Sequence, residues 1–123
     1  MEKKDVIEGN CVIAFFMGGK KSRIDNDTRY IRFPEPHAGT ETYAFYKQNL
    51  KYHKSWDWLM PVVERIEGLG YDVFIGTNSC YLSKPNQQVV VHTNKFENKL
   101  QTVYEAIVSF VEWYNSLQKP KTK

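Results

Sequence analysis

Two stretches of the chain place apolar residues at helical spacing. Leu59, Val62, Val63, Ile66 and Leu69 fall on one side of a 3.6-residue repeat. Ser55 stands where an N-cap belongs, Asp57 suits the first turn, and Gly68 and Gly70 mark a stop. This predicts a helix over Ser55–Leu69, with Pro61 tolerated near its start. Leu100, Val103, Ile107, Val111 and Tyr114 form a second stripe, predicting a helix from about Lys95 to Leu117 that ends before Pro120. Asn94 followed by Glu97 has the spacing of a capping box for it.

Strand-like runs fill the rest. Cys11–Met17 (C-V-I-A-F-F-M) is continuously apolar and stops at Gly18-Gly19, which predicts a central strand. Lys20–Thr28 is polar and reads as a loop, Thr28–Phe33 as a short strand, and Pro34–Thr40 as a loop. Glu41–Tyr52 alternates in places and suggests one or two strands. Tyr71–Ile75 and Ser79–Leu82 make a hairpin about Gly76-Thr77-Asn78, and Gln87–His92 follows the Pro85-Asn86 turn as another strand.

The expected order is β-β-β-α-β-β-β-α. That is an α+β fold, a two-layer sandwich whose mostly antiparallel sheet carries both helices on one face. A single domain over 1–123 is expected, with 1–10 and 118–123 frayed. The core should join Leu59, Val62, Ile66, Val103, Ile107 and Val111 to Val12, Phe15 and Val73. Each helix has an apolar arc of about 200°, against the roughly 100° that a sheet alone requires. The surplus points to helix–helix contact or to a homodimer.

Composition narrows the function classes. The net charge is +3, and basic residues crowd both ends, so the folded part is close to neutral. Net charge alone therefore gives no strong argument for nucleic acid. Cys11 and Cys80 are isolated and read as free buried thiols, without zinc spacing. No run approaches the ~20 apolar residues of a membrane span, and the charged start lacks a signal-peptide core. The expectation is a cytoplasmic protein with no membrane partner. No phosphate loop, dinucleotide fingerprint, nucleophile elbow or metal-binding spacing is present, so neither a cofactor nor a metal is expected.

Aromatic residues make up 15% of the chain. Basic and aromatic residues interleave from Lys20 through Arg29, Tyr30, Arg32, Phe33, Tyr43, Phe45 and Tyr46 to Lys51, a pattern suited to nucleotides or single-stranded nucleic acid. It equally suits the wet face of an antiparallel sheet.

The densest segment runs L-K-Y-H-K-S-W-D-W-L-M-P-V-V-E, from Leu50 to Glu64. Tyr52, His53, Ser55 and the run Trp56–Glu64, with the following Arg65–Tyr71, resemble a signature of small uncharacterised proteins from bacteriophages, prophages and Bacteroidota genomes. Ile13–Gly19 resembles the first strand of that family. The resemblance covers about half the chain and implies an origin rather than an activity.

Tyr52, His53, Ser55, Trp56 and Asp57 are the candidate ligand or partner site. A strand ends there, and the opening turn of a helix offers unpaired N–H groups beside an aromatic ring and an imidazole. Arg29, Arg32 and Tyr46 are secondary candidates on the preceding strands. Helix capping alone also accounts for Ser55 and Asp57. The leading expectation is a non-enzymatic binding or interaction protein of phage or mobile-element origin, its protein or small-ligand partner open. One rival is a nucleotide or nucleic-acid binder using the basic-aromatic strands. The other is a small hydrolase-like enzyme centred on His53 and Asp57.

Overall fold

The computed structural model describes residues 3–24, 27–37, 41–77, 79–84, 89–94 and 98–118. Its elements are α1 (Lys3–Phe16), β1 (Lys20–Ile24), β2 (Asp27–Arg32), β3 (Ala44–Tyr46), a 3-10 turn (Lys47–Asn49), α2 (Trp56–Gly68), β4 (Asp72–Ile75), β5 (Ser79–Ser83), β6 (Val89–Asn94) and α3 (Lys99–Gln118). The fold is α+β with antiparallel pairing, as the pattern predicts. The strands divide into two three-stranded sheets, β1-β2-β3 and β4-β5-β6.

The largest departure is at the start. Lys3–Phe16 is a helix, so Cys11–Met17 is not a central strand and Lys3–Asn10 is not a frayed lead-in. Burial gives the reason. Ile13 and Ala14 are both fully buried, Phe15 is 40% exposed, and Phe16 is buried again. Gly9 and Asn10 are buried as well, and buried pairs that recur four residues apart mark one face of a helix. Phe15 therefore leaves the expected core. Gly18, at φ +97, ends the helix. The Gly18 N–H donates to Phe15 and the Gly19 N–H to Ala14, the paired bonds of a left-handed helix cap. Gly19 must also be small, because a Cβ there would lie 2.6 Å from Ile31 and 2.9 Å from the Ala14 carbonyl.

Lys20–Thr28 is likewise not simply a loop. Lys20–Ile24 forms β1, which pairs with β2 from Lys20↔Arg32 inward. Its polar character fits an edge strand, where lysines deter further pairing. Between Glu41 and Tyr52 only Ala44–Tyr46 is strand, and the chain then enters the 3-10 turn.

The two predicted helices are present. Gly70, at φ +99, caps α2 in the same way as Gly18 caps α1, with the Tyr71 N–H reaching Ile66. Ser55 occupies the N-cap position of α2 in extended conformation, but its side chain makes no capping bond. α3 is capped by Asn98, whose Oδ1 accepts the Gln101 N–H at 2.9 Å. Asn94 instead ends β6, and its expected capping-box partner Glu97 lies outside the described residues. The Pro85-Asn86 turn and the tail 119–123 also lie outside them.

All three helices and both sheets contribute to one buried cluster. Leu59, Val62, Ile66, Val103, Ile107 and Val111 are buried as expected, and Val12 and Val73 pack at the cluster's edge. α3 is its axis, lying against β5 and β6 and against α1. Much of the apolar surplus on α3 thus meets a third helix of the same chain. Where α1 and α3 cross, a Cβ on Gly9 would strike the Tyr104 hydroxyl, which donates to the Val6 carbonyl at 3.2 Å. Cys11 and Cys80 are free thiols, half-buried and buried respectively.

Candidate functional site

Pairing register decides what the first sheet shows on each face. Ile31 is fully buried and pairs with Phe45, which packs against the core. Side chains alternate along a strand, so Tyr30 and Arg32 belong to the opposite, outer row. Arg32 lies across from Lys20 on β1 and Ala44 on β3; Tyr30 lies across from Tyr46. The two tyrosines are held together by a 2.6 Å hydroxyl–hydroxyl hydrogen bond, with ring centroids 4.2 Å apart. Two cations and a tyrosine pair thus share one face.

Two concavities flank this face. The first, of 480 Å³, is lined by Lys20, Lys21 and Arg32 over an apolar floor of Phe33 and Pro34. The second, also 480 Å³, opens at the free edge of β3 and is lined by Tyr30, Phe45, Tyr46, Asn49, Lys51 and Trp58, among others. Trp58 comes from the first turn of α2, whose stripe turns it inward to 5% exposure. It meets Phe45 and Tyr52 edge-on at 5.0 and 5.1 Å between centroids.

Behind that wall lies a buried pair. The His37 Nε2 and the Tyr52 hydroxyl share a hydrogen bond, and the His37 ring stacks on Phe33 at 3.7 Å. Burial holds the His37 imidazole down to about 4 and pushes the Tyr52 phenol up. His37 is therefore neutral at physiological pH and packs behind the wall.

The predicted site residues do not form one cluster. Tyr52 is fully buried against His37 and offers no surface. The His53 Nδ1 accepts from the Asn10 side-chain amide on α1 at 2.9 Å. His53 and Asp57 do not bond to each other, and Asp57 is exposed. Burial lowers the His53 imidazole, and Lys54 adds to that. Ser55 is half-buried, and Trp56 is exposed at the start of α2. Arg32 and Tyr46 share the outer face of the first sheet; Arg29 lies in β2, with its side chain outside the described residues.

Lys20, Lys21 and Lys51 stood in the basic-aromatic interleave, but His37, Asn49 and Trp58 did not signal a site. His37 meets Tyr52 across 15 residues, a pairing that no local pattern announces. Asn49 is one polar residue in a turn.

The second sheet also shows rings outward. Phe74, Tyr81 and His92 pair across β4, β5 and β6, with Phe74 and Tyr81 stacked at 4.8 Å. No group of His, Cys, Asp or Glu suited to a metal occurs among the described residues, and no described helix is long and apolar enough to cross a membrane. Compared with known proteins, the chain matches no family model, no curated protein and no solved structure.

Proposed function

We propose that this is a non-enzymatic binding protein that holds single-stranded nucleic acid on the outer face of its first sheet. The observation that carries the reading is the placement of Lys20 directly across from Arg32, beside the Tyr30–Tyr46 pair. Cations that track phosphates next to rings that stack bases are the two parts such a site needs. An enzyme centred on His53 and Asp57 has less support, since His53 is engaged by Asn10 instead. The resemblance of Tyr52–Glu64 to phage and prophage proteins supports an accessory role for a phage or mobile element in a bacterial cytoplasm.

Fluorescence anisotropy with a labelled oligonucleotide tests the reading. Single strands should bind more tightly than duplex, because stacking needs unpaired bases. Lys20→Glu combined with Arg32→Glu should weaken binding by roughly tenfold or more at low salt, since each lost phosphate contact also loses its counterion release. Equal binding by this variant, or no binding by the native chain, would sink the proposal.

The homodimer keeps a candidate contact in Trp56 and Met60, one turn apart on α2 and 38% and 39% exposed. Sedimentation at micromolar concentration should show a dimer that Trp56→Ser dissociates; a native monomer would contradict it.

A further inference from the structure

We infer that the cavity at the free edge of β3 takes the adenine base of one bound nucleotide, with the Asn49 amide reading the base edge and Lys51 meeting its phosphate. This rests on the nucleic-acid reading and makes it specific.

Place comes first. The cavity shares Tyr30 and Tyr46 with the outer face, so a strand lying there would have one base within reach of it. β3 is an edge strand, which leaves the cavity open from the side. Its 480 Å³ falls within the range of roughly 300–1,000 Å³ typical of small-molecule sites.

The lining chemistry comes second. Tyr30, Phe45, Tyr46 and Trp58 supply rings, and a flat apolar guest with polar edges fits such walls. The walls are set in advance, because Trp58 is braced edge-on by Phe45, Tyr52 and His37. Asn49 provides a donor and an acceptor side by side, the complement of the adenine amino group and its neighbouring ring nitrogen. Lys51 provides a cation on that wall, the one such lining residue among the described residues, and takes a phosphate as a point charge.

Rigidity comes third. Leu50, between these two polar residues, is fully buried. Its N–H reaches the Lys47 carbonyl at 3.3 Å, and its carbonyl accepts from the buried Asn10 amide on α1 at 3.0 Å. Asn49 and Lys51 therefore flank a backbone point tied to the core, so their side chains depart from a fixed origin. Preorganisation of this kind is what discrimination between bases requires.

The test uses the full chain with labelled oligo-deoxyadenylate, oligo-deoxycytidylate and oligo-deoxythymidylate of equal length. The adenylate should bind on the order of tenfold more tightly, the discrimination that one bidentate amide–adenine pair provides. Asn49→Ala should bring adenylate down to the level of the other two and leave the salt dependence unchanged. Lys51→Ala should weaken all three and reduce the salt slope by about 0.7, the share of one single-strand phosphate contact. Equal native binding to all three, or a uniform loss in Asn49→Ala, would overturn the base pocket while the nucleic-acid reading stands. Failure to bind any of the three would overturn that reading itself.

Discussion

Two charged concavities of similar build sit on different parts of this molecule. The one on the first sheet gathers Lys20, Lys21 and Arg32. The other, of 340 Å³, runs between α1 and α3 and gathers Asp5, Glu8, Glu105 and Glu112. Burial, and then the nearby Asp5 and Glu112 carboxylates, hold the Glu105 carboxyl above its usual range. A net charge of +3 averages over both regions. Net charge alone gives no strong argument for a polyanionic ligand, but folding separates the signs onto different regions. Fields act locally, so one face can attract phosphate while the other repels it.

The comparison can be broken through pH, because His37, which stacks on the Phe33 floor of the basic concavity, and Glu105, in the acidic groove, carry opposite signs. His37 titrates at about 4 in the folded protein, against an ordinary value of 6.5. The unfolded chain takes the proton first, so this contribution to stability is complete above pH 6.5 and declines as pH falls toward 4. The loss should reach about 3 kcal/mol, at 1.36 kcal/mol per unit. Glu105 is raised instead, so it favours the folded state at low pH and that contribution fades as pH rises through its folded value. Urea unfolding at stepped pH should show a His37 slope that disappears in His37→Phe; a slope that persists would remove His37 from the account.

A smaller effect separates the regions by structure. Gly9→Val drives a side chain into Tyr104 beside the acidic groove and should cost roughly 1–3 kcal/mol. The folded fraction should bind oligonucleotide as the native chain does. A parallel loss of affinity at temperatures where the variant is folded would mean that the acidic side takes part in binding. The smallest effect is at Ser55. Because its side chain makes no capping bond, Ser55→Ala should lower the unfolding free energy measured in urea by only about a few tenths of a kcal/mol, below the ~0.5–2 kcal/mol typical of a working cap.

What was legible followed from local periodicity. The stripe from Leu59 to Ile66, the stop at Gly70, the β4–β5 hairpin and the stripe through Val103 and Ile107 are all carried by neighbours in sequence. Cys11–Met17 failed because a helix buried on more than one side is as continuously apolar as a central strand. The discriminating signal extends beyond the run: Gly9 and Asn10, which precede it, make a helical face with Ile13 and Ala14, and Gly18-Gly19 is as good a helix stop as a turn. The site was half legible. Arg32 and Tyr46 stand out in the basic-aromatic interleave and share the outer face, whereas Tyr52, His53, Ser55, Trp56 and Asp57, the densest segment, do not gather into one site. His53 joins Asn10 across 43 residues, a contact that adjacency in sequence conceals.

The central claim is that nucleic acid lies on the first sheet, and a backbone amide NMR titration with oligo-deoxyadenylate tests it most directly. Shifts should concentrate at Lys20, Arg32, Tyr46, Asn49 and Lys51, with the amides of Glu8, Glu105 and Glu112 unmoved. Shifts centred on Phe74, Tyr81 and His92, or on the acidic groove, or no shifts at all, would contradict it.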